Sequence, residues 1–206
     1  LEQCTGPSQV LAMVAEFRRR DADTPIILMG YANPIERRGA ARFSQEAAAA
    51  GVDGLLIVDY PADEAQDMRA ELARQGLHQI FLVAPTTTDA RLKRAAELAG
   101  GFLYYVSIKG VTGASTLDTE SLAPAIERVR AAASVPVAVG FGIRTPEHAA
   151  AVAESADAVI IGSALVERLG QADSTAAAVA AAREYLAPIR RAMDNITPSR
   201  NDVVTA

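Results

Sequence analysis

The chain has 206 residues, of which 50% are hydrophobic and 22% are charged, which is enough for one sizeable core with a solvated surface. Lys and Arg total 20 against 25 Asp and Glu, and no basic run is interleaved with aromatic residues, so this acidic composition disfavours nucleic-acid binding. No apolar stretch approaches the ~20 residues that a membrane-spanning helix needs, and the single cysteine, Cys4, has no partner for a disulfide, so the composition favours a cytoplasmic protein.

Short apolar runs alternate with amphipathic stretches along the chain. Helical periodicity predicts helices over residues 8–20, with Ser8 as N-cap, and over a stretch that includes residue 43 and ends at residue 50. Further helices are predicted over 63–75, 89–99, 122–132, from 146 with Thr145 as N-cap, in a short stretch after 163, and over 174–193. Runs rich in β-branched residues predict strands at 26–29, 54–58, 80–83, 102–107, 135–139 and 158–161. Because these runs are continuously apolar, both faces of the sheet are expected to be buried, which is typical of parallel strands joined by helices.

This alternation predicts an α/β protein of the (β/α)8 TIM-barrel family, with about six of the eight βα units. We expect one domain over residues 1–193 and a polar C-terminal tail over 194–206. The first element is a helix with no strand before it, so the two absent units are most simply placed at the N-terminus. An open, doubly wound sheet is the structural alternative, since its units leave similar local patterns.

Three glycine-bearing segments follow predicted strands, namely Gly110-Val-Thr-Gly113, Gly140-Phe-Gly-Ile143 and Gly162-Ser163. Glycine lets backbone N–H groups approach an anion closely, and the loops after the last strands of such barrels commonly bind phosphate. The sequence therefore predicts a phosphate site assembled from three loops. No Gly-Lys-Ser/Thr loop is present, and Thr145 occupies the third position of the closest dinucleotide-like pattern, so neither a P-loop nor a Rossmann site is predicted.

Other candidate residues lie at strand ends. Asp59 follows a predicted strand as a candidate acid or base, although capping of the turn that follows is the favoured interpretation. One of Tyr104 and Tyr105 should face the barrel interior, because neighbouring strand residues point to opposite faces. Phe141 is interpreted either as a platform for an aromatic ligand or as a loop anchor. No cluster of cysteine, histidine and carboxylates has metal-ligand spacing, and no catalytic triad is evident.

Five segments occur in the order of one enzyme family. They are Met29-Gly-Tyr-Ala-Asn-Pro34, Gly51-Val-Asp-Gly-Leu-Leu-Ile-Val-Asp-Tyr-Pro61, Tyr104-Tyr-Val-Ser107 with Gly110-Val-Thr-Gly113, Gly140-Phe-Gly-Ile143 and Gly162-Ser-Ala164. On these segments the chain resembles the tryptophan synthase alpha chain, from about residue 7 to residue 169. The resemblance implies a lyase of tryptophan biosynthesis that cleaves indole-3-glycerol phosphate to indole and glyceraldehyde 3-phosphate without a cofactor. It also implies a beta chain as partner, in a heterotetramer of two alpha and two beta chains.

The resemblance assigns roles to seven residues. Gly113, Gly142, Gly162 and Ser163 match the family's phosphate-binding groups, Tyr104 and Phe141 match walls of the substrate pocket, and Thr112 matches the threonine of a loop that closes over substrate. The family's catalytic glutamate and aspartate have no counterpart, since no Phe-Ser-Asp-Pro segment occurs and Phe43-Ser44 continues to Gln45. We therefore expect an alpha chain that lacks the N-terminal part carrying those carboxylates and has little activity alone.

Two other functions are compatible with this pattern. One is a non-catalytic module that binds a phosphorylated ligand or a beta chain, with residues 31–34 and 59–61 forming the partner surface. The other is a sugar-phosphate isomerase or epimerase, which shares phosphate loops after late strands but is disfavoured by the Tyr-Ala-Asn-Pro and Gly-Val-Thr-Gly segments.

Overall fold

The computed structural model describes residues 6–107, 119–140 and 142–196. Strands and helices alternate along these residues. The helices are α1 (Pro7–Arg18), α2 (Ala32–Arg38), α3 (Ala40–Ala50), α4 (Gln66–Arg74), α5 (Asp89–Leu98), α6 (Thr119–Ala132), α7 (Pro146–Ala153), α8 (Ser163–Gly170) and α9 (Thr175–Asp194). The strands are β1 (Ile27–Gly30), β2 (Gly54–Ile57), β3 (His78–Val83), β4 (Leu103–Val106), β5 (Val137–Gly140) and β6 (Ala158–Ile160). Each predicted strand is present, with ends that match or shift by at most two residues.

These elements form two compact units. The first unit contains α1 to α5 with β1, β2 and β3, and the second contains α6 to α9 with β5, β6 and most of β4. α9 ends at Asp194, and the division into one domain over residues 1–193 and a tail stays a prediction. Within the described residues, no helix is long and apolar enough to cross a membrane.

In the first unit, β2 lies between β1 and β3 and pairs in parallel with both. Leu55 lies opposite Leu28 on β1 and Gln79 on β3. One face of β2 presents Leu55 and Ile57 to a buried cluster that includes Phe43 of α3 and Leu72 of α4. Helices therefore cover this face of the sheet. Both faces of β2 are buried as predicted, whereas Met29 of β1 is 63% exposed, so the prediction of two buried faces is wrong for β1.

In the second unit, β5 and β6 pair in parallel, with Gly140 opposite Ile160. β4 runs beside β5, where the Ser107 N–H donates to the Gly140 carbonyl at 3.2 Å. α9 packs against α7 and α8, and its Ile189 is buried. The carboxyl ends of these three strands therefore meet at one edge, where the glycine-bearing loops begin.

The helix starts agree with the predicted N-cap at Thr145 and differ from the one predicted at Ser8. Thr145 and Ser174 cap α7 and α9, each hydroxyl accepting an N–H three residues on, at 3.2 Å. α1 begins at Pro7 rather than after Ser8, because proline suits the first helical position and Gly6 serves as the N-cap. The segment from Ala32, for which no separate helix was predicted, forms α2, since Pro34 still lies in its first helical turn.

Candidate functional site

Two predicted phosphate-binding glycines follow neighbouring strands at matched positions. Gly140 and Ile160 are register partners at the ends of β5 and β6, and Gly142 and Gly162 each lie two residues further along. Since neighbouring strands are about 4.8 Å apart, the two loops start side by side. The structure thus brings these two loops together at the carboxyl edge of the second unit.

Gly142 has the backbone conformation that favours glycine. Its φ is 76°, in the left-handed region that side chains with a Cβ rarely adopt, and the residue is exposed. The glycine therefore turns the chain sharply after β5 and leaves its peptide open to a ligand.

Ser163 is the first residue of α8, and Gly162 is the N-cap. The Gly162 carbonyl accepts the N–H groups of Leu165 and Val166 at 3.0 and 3.1 Å. The N–H groups of Ser163 and Ala164 precede these first intrahelical bonds, so helix geometry leaves them directed away from the helix. Together with the Ser163 hydroxyl and the positive end of the helix dipole, they form an arrangement suited to an anion.

Tyr104 lies against Gly140 on the neighbouring strand. A Cβ added to Gly140 would lie 2.5 Å from Cε2 and 2.7 Å from Cζ of the Tyr104 ring, far inside van der Waals contact. Gly140 therefore provides the space that the ring occupies. Tyr105 is 3% exposed, whereas Tyr104 is only partly buried, as expected for strand neighbours on opposite faces. Burial raises the pKa of the Tyr104 phenol above 10.0, so the group stays a neutral hydrogen-bond donor at neutral pH.

Three of the predicted site residues lie outside the described residues. These are Thr112, Gly113 and Phe141, whose roles stay predictions. The described part of the site consists of Tyr104, Gly142, Gly162 and Ser163, all in the second unit. Among the residues that the structure describes, no group of three or more histidine, cysteine and carboxylate side chains could hold a metal ion.

Asp59 belongs to the first unit, where it connects two loops. Its Oδ1 accepts the N–H of Ala32, the first residue of α2, at 2.7 Å. The carboxylate therefore caps the helix after β1 instead of the turn that follows it in sequence. A cap supplied by the next strand carries no local sequence signal, so sequence reasoning missed it.

Comparison with known proteins decides the family. The family model described as "Tryptophan synthase alpha chain" matches residues 1–195. The chain belongs to the tryptophan synthase alpha chain family. The alpha chain of Bordetella bronchiseptica is 49% identical over 203 residues, a match that covers 95% of this chain and 71% of that protein.

Solved alpha chain structures have the same fold. The Legionella pneumophila strain Paris subunit superposes with a TM-score of 0.86 at 40% identity, covering 95% of this chain and 72% of that chain. A chain of the Pyrococcus furiosus tryptophan synthase a2b2 complex superposes with a TM-score of 0.84 at 35% identity, covering 92% of this chain and 76% of that one. The predicted TIM-barrel family and the predicted role in tryptophan biosynthesis are both confirmed, and the tryptophan synthase alpha chain family is a lyase family.

Proposed function

We propose that this chain binds indole-3-glycerol phosphate at the second unit and supplies the substrate-binding part of its cleavage to indole and glyceraldehyde 3-phosphate. One observation carries the proposal: Gly142 and the start of α8 lie two residues beyond register partners on β5 and β6. Two sets of backbone N–H groups therefore lie at adjacent strand ends, as a phosphate needs.

The remaining substrate would extend from this phosphate position toward Tyr104. The partly buried ring and its neutral hydroxyl offer an apolar wall with one polar group, which suits an indole or glycerol portion. Phe141 and Thr112 would contribute a second wall and a closing loop, as the resemblance implies. Closure over the substrate would exclude water and fix its geometry.

The cleavage breaks the bond between the indole ring carbon and the glycerol carbon. The ring carbon gains a proton, and the glycerol hydroxyl loses one as it becomes the aldehyde. The resemblance assigns this proton transfer to a glutamate and an aspartate that the 206-residue sequence does not contain in their family context. Such groups typically contribute about 10²- to 10⁴-fold each, so we propose that these 206 residues alone bind substrate but cleave it very slowly.

The proposed partner is a beta chain, and the proposed compartment is the cytoplasm. A Pyrococcus furiosus relative is described as part of an a2b2 complex. In the first unit, the hydrogen bond from Ala32 to Asp59 ties the start of α2 to the loop after β2, and the neighbouring Tyr31 is 66% exposed. These two loops form the proposed beta chain contact. The same observation favours the second candidate function, a non-catalytic module that binds phosphate ligand and beta chain.

Calorimetric titration with glycerol 3-phosphate tests the phosphate site. We expect Gly142→Val to weaken binding at least about tenfold, because a β-branched side chain resists positive φ and blocks the peptide. Gly39→Val is the matched control, since Gly39 has φ 87° and nothing within 4 Å of an added Cβ, but lies in the first unit. Unchanged affinity in Gly142→Val, or equal losses in both variants, would contradict the site.

An indole-release assay separates the two candidate functions. Binding of glycerol 3-phosphate and beta chain without indole release favours the non-catalytic module. Indole release by the chain alone would instead show that the proton transfers do not need the two family carboxylates.

A further inference from the structure

The Tyr185 side chain on α9 contacts both elements of the proposed phosphate site, the loop that contains Gly142 and helix α8. Tyr185 is 9% exposed, and its hydroxyl donates a hydrogen bond to the Arg144 carbonyl at 2.9 Å. The two residues are 41 positions apart, so the bond ties the C-terminal helix to the loop after β5. No sequence pattern marked this residue as functional.

The bond holds the downstream end of the Gly142 loop. Arg144 lies two residues after Gly142, and the following residue, Thr145, caps α7. Ile143, between the glycine and the hydrogen-bonded carbonyl, is 4% exposed. Tyr185 and α7 therefore hold the chain at Arg144 and Thr145, two and three residues after Gly142.

The same ring contacts α8. The Arg168 guanidinium lies over the Tyr185 ring at 4.2 Å from its centroid, a cation–π contact. α8 is the helix that begins with Ser163, and its Glu167 pairs with Arg144 at 3.6 Å. Both elements that present N–H groups to the proposed phosphate are thus held by one aromatic side chain.

The hydroxyl has a role separable from that of the ring. A cleft of about 700 Å³ opens beside it, lined by residues that include Arg144, Arg168 and Glu184. Water in this cleft can solvate the Arg144 carbonyl if the phenol is removed, and a phenylalanine ring would keep the packing of α9. Loss of the hydroxyl should therefore loosen the loop without unfolding the unit.

We propose that Tyr185 is a positioning residue for phosphate binding, whose hydroxyl holds the Gly142 loop in register with the start of α8. This inference rests on the proposed function, since it assigns the phosphate to those two elements. Tyr185 does not touch the ligand. It limits the motion of the groups that do, and so lowers the entropy cost of ordering them on binding.

The test compares two ligands in the 206-residue chain. We expect Tyr185→Phe to weaken glycerol 3-phosphate about threefold to tenfold, the loss of one net hydrogen bond, while indole affinity stays within about twofold. Tyr105→Phe, which removes the hydroxyl of another buried tyrosine of the second unit, should change neither affinity. If Tyr185→Phe fails to fold by circular dichroism, Arg168→Gln, which removes the stacked cation, should give the same selective loss.

The other possible outcomes of these two titrations overturn the proposal. Wild-type chain that does not bind glycerol 3-phosphate overturns the proposed function and this inference with it. Wild-type binding with unchanged affinity in Tyr185→Phe overturns the inference alone. Equal weakening of both ligands would show that the hydroxyl only stabilises the unit, and would also reject a positioning role.

Discussion

Gly140 and Tyr104 illustrate how single residues shape the site. A glycine at the end of β5 leaves room for a tyrosine ring on the adjacent strand, so the size of one residue sets the position of the other. The ring occupies the place where a wall of the indole pocket is proposed. A change at Gly140 should therefore act on the ligand through Tyr104.

We expect Gly140→Ala to displace the Tyr104 ring and to weaken an indole analogue at least about tenfold, while overpacking costs about 1–3 kcal/mol of unfolding free energy. Fluorescence titration and urea unfolding measure the two effects. Gly30→Ala is the matched control, since Gly30 also ends a strand but an added Cβ meets nothing within 4 Å. Equal ligand affinities in the two variants would show that the ring position is unimportant.

The pKa shifts of two buried tyrosines predict how the free energy of unfolding changes with pH in the alkaline range. Burial raises the pKa of Tyr104 and of Tyr105 above 10.0, in Tyr105 despite the opposing charge of Arg128. Below pH 10 both folded and unfolded chains keep these protons. As the pH rises from 10 through the raised pKa values, the unfolded chain releases them first, so stability falls.

Urea unfolding across this alkaline range should show the decline, and Tyr104→Phe should reduce its slope. Tyr31→Phe removes a 66% exposed phenol and serves as the control. Ultraviolet absorbance of the phenolates supplies a second readout. An identical slope in Tyr104→Phe and wild type would mean that burial of Tyr104 does not affect its ionisation.

Among the secondary-structure elements, one arrangement occurs in both units. An aspartate just before a strand accepts the N–H at the start of the preceding strand: Asp53 from Ile26 at 2.7 Å and Asp157 from Val137 at 2.8 Å. Each aspartate also pairs with an arginine of the helix that precedes the first of the two strands. Arg18 of α1 pairs with Asp53, and Arg130 of α6 pairs with Asp157. Each aspartate therefore joins a helix, the strand that follows it and the next strand. The contacts lie at the amino ends of the strands, and in barrels of this kind that end contributes to stability.

We expect Asp53→Ala to lower the free energy of unfolding by about 1–3 kcal/mol, because it removes charge-assisted hydrogen bonds from a largely buried arginine. The Arg18 side chain is 16% exposed. Glu16→Ala, which removes the partner of the exposed Arg20, should cost less than about 1 kcal/mol. Urea unfolding compares them, and glycerol 3-phosphate affinity should not change in either. A smaller cost for Asp53→Ala than for Glu16→Ala would contradict this stabilising role.

For the whole molecule, the fold of the family is retained while its acid–base pair is not found in these residues. Under the proposed function, substrate binding by these 206 residues can be measured separately from proton transfer. That separation can be tested by adding the carboxylates back.

We expect the chain alone to release no measurable indole from indole-3-glycerol phosphate. Mixing it with a polypeptide that carries the family's N-terminal strands, including the glutamate and the aspartate, should restore release, because the two carboxylates supply the missing proton transfers. The same polypeptide with both carboxylates replaced by amides is the control. Equal rates with the two polypeptides would assign the proton transfers to residues of this chain.

The sequence by itself determined the alternation of strands and helices, the capping role of Thr145, and the positions of the glycines that follow the strands. These features depend on residues within a turn or a strand of each other, so local periodicity and capping chemistry reveal them. Only the tertiary structure decided that Gly140 admits the Tyr104 ring and that Tyr185 holds the Arg144 carbonyl. Those contacts join residues 36 and 41 positions apart. They depend on strand register and on helix packing, which no local pattern encodes.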